Sequence, residues 1–144
     1  MNGATRHWGI TILRVMVGIV YLAHGAQKVF VYGFSGVSGA FGQMGIPIPA
    51  VMGPFVAILE LVGGALLIFG VGTRWVSILF AIEMAVAVLK VHLSGGFFLP
   101  HGFEYTLMLF AANCAIALEG PGPAALGRTL SKKGVGTGTF VDPV

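Results

Sequence analysis

The apolar run at residues 10–30 constrains the fold of this chain more than any other stretch. A helix that crosses a bilayer needs about 20 apolar residues at roughly 1.5 Å each, and this run supplies that length. It nevertheless contains polar and charged side chains, which are Arg14, His24, Gln27 and Lys28. An unpaired Arg or Lys at the centre of a membrane helix costs on the order of 2.5–3.5 kcal/mol. The rest of the chain therefore has to supply partners for these groups.

Composition indicates an integral membrane protein of one domain. Of the 144 residues, 56% are hydrophobic and only 9% are charged, whereas a soluble domain has about 25% charged residues. The formal net charge of +3 is too small for a nucleic-acid footprint, so the expected partner is the lipid bilayer and not nucleic acid. The single cysteine, Cys114, excludes an intrachain disulfide and a covalently attached c-type haem.

The apolar segments predict an all-α fold, an integral membrane four-helix bundle. The expected parts are a lead at 1–9, a membrane domain at 10–119 with spans at about 10–30, 51–71, 75–93 and 103–118, and a flexible basic tail at 120–144. Residues 31–50 are predicted to form an apolar loop that caps the bundle and ends at Pro47 and Pro49, since two prolines cannot continue a helix.

The distribution of basic residues predicts the orientation of the bundle. Four spans place both termini on one side, with the basic residues Arg6, Arg14, Arg74, Arg128, Lys132 and Lys133. The opposite ends of the spans carry only Lys28 and Lys90. By the positive-inside rule both termini are expected in the cytoplasm, and the two short apolar loops are expected to face outward.

The ionisable residues of the spans predict one outward-opening polar cavity. Three cations balance three carboxylates one for one, and the candidate lining residues are Arg14, Tyr21, His24, Gln27, Lys28, Glu60, Glu83, Lys90, His92 and Glu104. His24, Gln27 and Lys28 share a helix face, because they are three and four residues apart. The expected pairs are Arg14 with Glu60 or Glu83, and Lys28 or Lys90 with Glu104. A purely structural interpretation stays open, in which charge pairs fix helix register and the two lysines extend to the membrane surface.

Several motifs resemble those of the DoxX family of small bacterial and archaeal membrane proteins. They are Leu13-Arg14, Gly18, His24-Gly25, Gln27-Lys28, Gly45-Ile-Pro47, Leu59-Glu60, Gly63-Gly64, Gly70-Val-Gly72-Thr73-Arg74, Glu83-Met84, Ala87, His92, Gly95-Gly96-Phe97-Phe98 and Glu104-Tyr105. The resemblance spans residues 10–120, and after Gly122 the sequence departs from the usual basic-aromatic family ending. It implies a multi-pass four-helix protein of the prokaryotic inner (plasma) membrane. It also implies a redox association, because the family is named for a subunit of an archaeal thiosulfate:quinone oxidoreductase.

The function that these features favour is a quinone- or quinol-handling membrane subunit. A quinone needs an apolar slot and two polar groups that bond its carbonyls and move protons. The chain has no flavin fingerprint and no cysteine ligand set, so an oxidoreductase activity would require a partner subunit, and no metal site is expected. The alternative is a non-catalytic accessory subunit of a larger respiratory or photosynthetic membrane complex, assembled with other membrane subunits or as a homo-oligomer.

Two further interpretations stay open from the residues alone. A balanced charge network also lines transport paths, although four spans are few for a transporter that does not oligomerise. A b-type haem held by His24 with His92 or His101 fits the predicted depths. Its absence would show as an absorbance spectrum without a Soret band.

Overall fold

Five α-helices account for most of the computed structural model, which describes residues 3–127, with side chains from Trp8 onward. The helices are α1 (Gly3–Ala26), α2 (Gly33–Gln43), α3 (Pro49–Phe69), α4 (Thr73–Val86) and α5 (Glu104–Glu119). Helix α1 continues as a π-helical segment, Gln27–Tyr32, and α4 continues as a second one, Ala87–His92, followed by a 3₁₀ turn, Leu93–Gly95. Residues 3–127 contain no β-strand, so the predicted all-α class is confirmed for this part of the chain.

Three helical segments have the length and composition of membrane spans: Trp8–Gln43, Pro49–Phe69 and Thr73–Gly95. Helix α5 has 16 residues, about 24 Å at 1.5 Å per residue. It packs against α4 and, less extensively, against α1. The four long helices α1, α3, α4 and α5 thus form a bundle. Residues 128–144, most of the predicted tail, lie outside the described residues.

Helix α2 corrects the prediction that residues 31–50 form a loop. Val37 is buried and Phe41, one turn later, is half-buried, so these residues place one apolar face against the bundle. The helix packs on the start of α3, where a side-chain carbon on Gly53 would lie 2.9 Å from the backbone nitrogen of Ser38. The prediction failed because eleven residues rich in glycine lack helix propensity of their own, and the contact with α3 supplies the stability.

Helices α1 and α3 make the most extensive contact in the bundle, and glycines allow their backbones to meet. A side-chain carbon on Gly25 would lie 2.2 Å from the Leu61 backbone nitrogen, and one on Gly64 would lie 2.4 Å from the Leu22 nitrogen. The neighbouring Gly63 faces the opposite way, where an added carbon would lie 2.8 Å from the Phe80 ring of α4. The Gly63-Gly64 pair therefore serves two helix contacts.

Substitution of Gly25 by Ala is expected to destabilise the bundle, because the new methyl group meets the α3 backbone, which cannot give way. Overpacking of this kind costs about 1–3 kcal/mol. The matched control is Gly9→Ala on the same helix, where an added carbon meets nothing within 4 Å. Thermal unfolding in detergent should show a lower midpoint for Gly25→Ala and an unchanged one for Gly9→Ala. Equal midpoints would contradict the close approach of α1 and α3.

Candidate functional site

A cavity of about 500 Å³ lies between the four long helices. The α2–α3 connection contributes Met44 and Ile46 to its wall, and the loop before α5 contributes Leu99 and Pro100. Both loops lie at the end of the bundle where α3 and α5 begin. The cavity therefore occupies the half of the bundle opposite the α3–α4 turn.

The cavity wall is mainly apolar, which differs from the polar cavity that the charge pattern predicts. Apolar side chains from all the surrounding elements cover most of the wall. Eight of the 25 lining residues are polar or charged: Tyr21, His24, Lys28, Glu60, Glu83, His92, Tyr105 and Thr106. Six of the ten predicted site residues are in this set. A cavity with an apolar wall and a few converging polar groups is typical of small-molecule sites.

Lys28 joins α1 to α3 by an ion pair at the cavity wall. Its Nζ donates to Oε2 of Glu60. The Glu60 side chain is 3% exposed and that of Lys28 is 21% exposed, so the carboxylate has left water and depends on the ammonium for its charge balance. This pairing differs from the expected one between Lys28 and Glu104.

Glu83 brings a second carboxyl group to the same place from α4. It interacts electrostatically with both Glu60 and Lys28. Its Oε2 is buried and has no hydrogen-bond partner among the described residues. The cluster thus holds two carboxyl groups for one ammonium, and one acceptor oxygen is free at a residue that lines the cavity. Buried polar atoms without a partner are rare and frequently belong to functional sites.

Tyr21 connects the cavity wall to the core of the bundle. Its ring stacks on Phe80 of α4 with the centroids 3.6 Å apart, and its hydroxyl accepts a hydrogen bond of 2.8 Å from Nδ2 of Asn113 on α5. Asn113 also donates to the Leu109 carbonyl, at 2.8 Å. The Tyr21 ring is therefore held by two helices, which fixes this part of the wall.

Arg14 does not line the cavity, and the predicted pairing with Glu60 or Glu83 is wrong. The fully buried guanidinium donates to backbone carbonyls: from Nε to Pro121 at 2.8 Å, from Nη1 to Leu67 and, at 2.8 Å, to Ile68, and from Nη2 to Ala124 at 2.5 Å. The last carbonyls of α3 have no partner within the helix and carry partial negative charge. They satisfy the cation in place of a carboxylate, and Arg14 ties the segment after α5 to the end of α3.

Three other predicted residues also lie outside the cavity wall. Gln27 and Lys90 are exposed. Glu104, the first residue of α5, accepts a hydrogen bond of 2.8 Å from the Leu99 backbone N–H. The expected contacts of Arg14 with a carboxylate and of Lys28 with Glu104 are therefore replaced by other partners.

Both π-helical segments supply cavity residues, Lys28 in the first and His92 in the second. π-Helical turns are uncommon and occur frequently at functional sites. Helical spacing at 3.6 residues per turn does not predict such turns, so no pattern in the sequence indicated this feature. The sequence analysis also did not include Tyr105 and Thr106 among the candidate lining residues. Their polar side chains near the start of a predicted span could have indicated them.

Histidines and acids do not converge on a metal position in the described part of the chain. Within residues 3–127, no group of three or more His, Cys, Asp or Glu side chains is close enough to hold a metal ion. His24 is exposed at the cavity wall, and Nδ1 of His92 is 3.4 Å from the carbonyl oxygen of His101. The chemistry that the site offers is proton exchange and hydrogen bonding.

Comparison with known proteins decides the family. The DoxX family model matches residues 9–93, which include Arg14, Lys28, Glu60 and Glu83. The chain belongs to the DoxX family. A relative in Bacillus subtilis, named "Putative oxidoreductase CatD", is 36% identical over 111 residues, 75% of this chain and 78% of that protein.

Two further relatives carry names that call them uncharacterised. An uncharacterised protein of Haemophilus influenzae is 30% identical over 132 residues, 89% of this chain and 95% of that protein. An uncharacterised membrane protein of Mycobacterium tuberculosis is 29% identical over 140 residues, 90% of this chain and 85% of that protein. No solved structure matches the chain. The protein is thus a DoxX-family membrane protein with distant relatives, one of which carries an oxidoreductase name.

Substitution of Lys28 by Met is expected to destabilise the protein by about 3 kcal/mol, because it leaves a buried carboxylate without its cation. The double variant Lys28→Met/Glu60→Gln should regain most of this loss, since both members of the ion pair are then replaced by neutral side chains. The control is Lys90→Met in the other π-helical segment, whose side chain is exposed. The free energies of unfolding of the unmodified protein, the two single variants and the double variant, measured in detergent, test this prediction. A Lys28→Met variant as stable as Lys90→Met would mean that the ion pair contributes nothing.

Proposed function

We propose that this DoxX-family protein is a redox-associated membrane subunit that binds a quinone or quinol in the cavity between its long helices. The observation that carries the proposal is the Glu83 carboxyl group, with one buried oxygen that has no partner, at a cavity whose wall is mainly apolar. A quinol ring fits such a place because its hydroxyl can hydrogen-bond the carboxyl group while apolar side chains cover the ring and tail. The oxidoreductase name of the Bacillus subtilis relative is consistent with this function.

The charge of the cluster supports a role in proton transfer. With Lys28 charged, one carboxylate balances it, and the second carboxyl group makes the cluster neutral when it carries one proton. Oxidation of a quinol releases two protons and two electrons. Glu83 is placed to accept one proton from the bound hydroxyl, and His24 or His92 at the same wall offers a second acceptor.

The two electrons must leave through another protein. The sequence contains neither a flavin fingerprint nor a cysteine ligand set, so the oxidant is a partner redox subunit. Other membrane subunits or further copies of the chain are therefore part of the proposal. The same assembly would also accommodate the alternative function, a non-catalytic accessory subunit.

Glu83→Gln is expected to weaken quinol binding by up to about tenfold, because a hydrogen bond contributes roughly 0.5–1.5 kcal/mol. The measurement is equilibrium binding of a tail-bearing quinol analogue to the purified protein in detergent. Lys90→Met, which changes an exposed side chain outside the cavity wall, should bind as the unmodified protein does. If the unmodified protein binds no quinone or quinol, and Glu83→Gln alters only the recovery of a larger complex, the accessory function is the correct one.

We also propose that both termini lie in the cytoplasm of a prokaryotic cell and that α2 faces outward in the inner membrane. The basis is the excess of arginine and lysine at the ends of the spans that adjoin the termini. In this orientation the cavity lies in the outer half of the bilayer, next to α2.

A reporter experiment tests this orientation. Green fluorescent protein fused after Val144 is expected to fluoresce, and alkaline phosphatase fused there is expected to be inactive. In a Cys114→Ala background, Ser35→Cys on exposed α2 should react with a membrane-impermeant maleimide in cells whose outer layers have been permeabilised. An active phosphatase fusion together with unlabelled Ser35→Cys would reverse the orientation.

A further inference from the structure

The cavity wall continues to the outside of the bundle between α3 and α4. Phe55 on α3 and Ile82 and Val86 on α4 all line the cavity. Each is also exposed, at 51%, 57% and 43% respectively. Exposed lining side chains on both neighbouring helices point to an opening of the cavity between α3 and α4. Because α3 and α4 belong to membrane-span candidates, this opening faces hydrocarbon.

The packing of α3 against α4 explains why the opening lies there. The two helices touch where Gly63 meets Val76 and Phe80, at 2.8 Å from an added side-chain carbon to the Phe80 ring. Glu60 and Glu83 lie one turn away from this contact, toward the cavity. Farther along, the cavity separates the helices, and Phe55 and Val86 stand on its two sides. The carboxyl cluster is therefore at the closed end of a gap between helices whose sides are apolar.

The edge of the cavity on the opposite side of the bundle has a different character. The edge formed by α1 and α5 carries His24 and Tyr105, which are both exposed and polar. A hydrocarbon chain at this edge would remove polar groups from water without giving them hydrogen bonds, which is unfavourable, whereas Phe55 and Val86 give it apolar contacts. The gap between α3 and α4 is thus the route that suits an apolar molecule.

We propose that the cavity is loaded from the hydrocarbon phase of the bilayer through the gap between α3 and α4. The ligand class is a neutral lipophilic alcohol or phenol, whose hydroxyl hydrogen-bonds the Glu83 carboxyl group and whose hydrocarbon tail leaves between Phe55 and Val86. The redox identity of this ligand rests on the proposed function, while the route and the hydroxyl contact rest on the geometry of the gap.

Carbodiimide labelling tests the route without requiring the natural ligand. A protonated carboxyl group adds across one C=N bond of a carbodiimide: its oxygen bonds to the central carbon and its proton goes to nitrogen. The acyl group then moves to the other nitrogen of the reagent and gives a stable N-acylurea, so the protein gains the whole mass of the reagent with no leaving group. Dicyclohexylcarbodiimide dissolves in the bilayer, whereas the cationic ethyl-dimethylaminopropyl carbodiimide stays in water. Full-length protein in phospholipid vesicles is treated with each reagent, and the adduct is located by peptide mass spectrometry.

Dicyclohexylcarbodiimide is expected to label Glu83, and the water-soluble reagent is expected to label it at least several-fold less. Val86→Trp should reduce the lipid-phase labelling several-fold, because the indole fills the gap. The matched control is Val62→Trp on α3, whose native side chain is 50% exposed but does not line the cavity. It should label as the unmodified protein does. Ile82→Trp provides a second blocking variant, and the thermal midpoint of each variant reports whether it is folded.

Three results would overturn the proposal: preferential labelling from water, no labelling of Glu83 by either reagent, or full labelling of folded Val86→Trp and Ile82→Trp. The outcome is separable from that of the proposed function. If the tryptophan variants block labelling from the lipid phase but the protein binds no quinol, the entry route is supported and the proposed redox ligand is contradicted. If the protein binds quinol but the tryptophan variants do not block labelling, the redox ligand is supported and the entry route is contradicted.

Discussion

The close contact between α1 and α3 is the constraint on which the rest of the structure depends. Gly25 and Gly64 bring the two backbones together, and small residues are the usual means of helix packing in membranes. This contact gives each buried cation of α1 its partner on α3. Arg14 reaches the carbonyls at the end of α3, and Lys28 reaches Glu60. A wider separation would leave a guanidinium and an ammonium in hydrocarbon without acceptors, which is costly.

The two ends of this contact have different consequences. At the Arg14 end, the cation makes four hydrogen bonds to backbone carbonyls and secures the residues that follow α5, so it is structural. At the Lys28 end, the cation faces two carboxyl groups and a cavity, and one carboxyl oxygen stays without a partner. The same helix pair thus closes one half of the bundle and leaves the other half able to bind a ligand.

Sequence reasoning recovered the helices and part of the site for identifiable physical reasons. Polar residues in apolar spans must turn inward, which is why Tyr21, Lys28, Glu60 and Glu83 were found together. The pairing of charges failed because a carbonyl at a helix end serves a cation as well as a carboxylate does, as Arg14 shows. Helix α2 was missed because its stability comes from contact with α3 and not from its own residues.

The sequence by itself determined that this is an all-α membrane protein with ionisable groups that require internal partners, since hydrocarbon does not solvate backbone or charge. Its motifs also pointed to the DoxX family. Only the tertiary structure decided which partner each group has, because that depends on the distance between helices set by Gly25 and Gly64. The tertiary structure likewise decided that the cavity has mainly apolar walls and extends between α3 and α4, since the spacing of residues along one helix does not determine the distance between two helices.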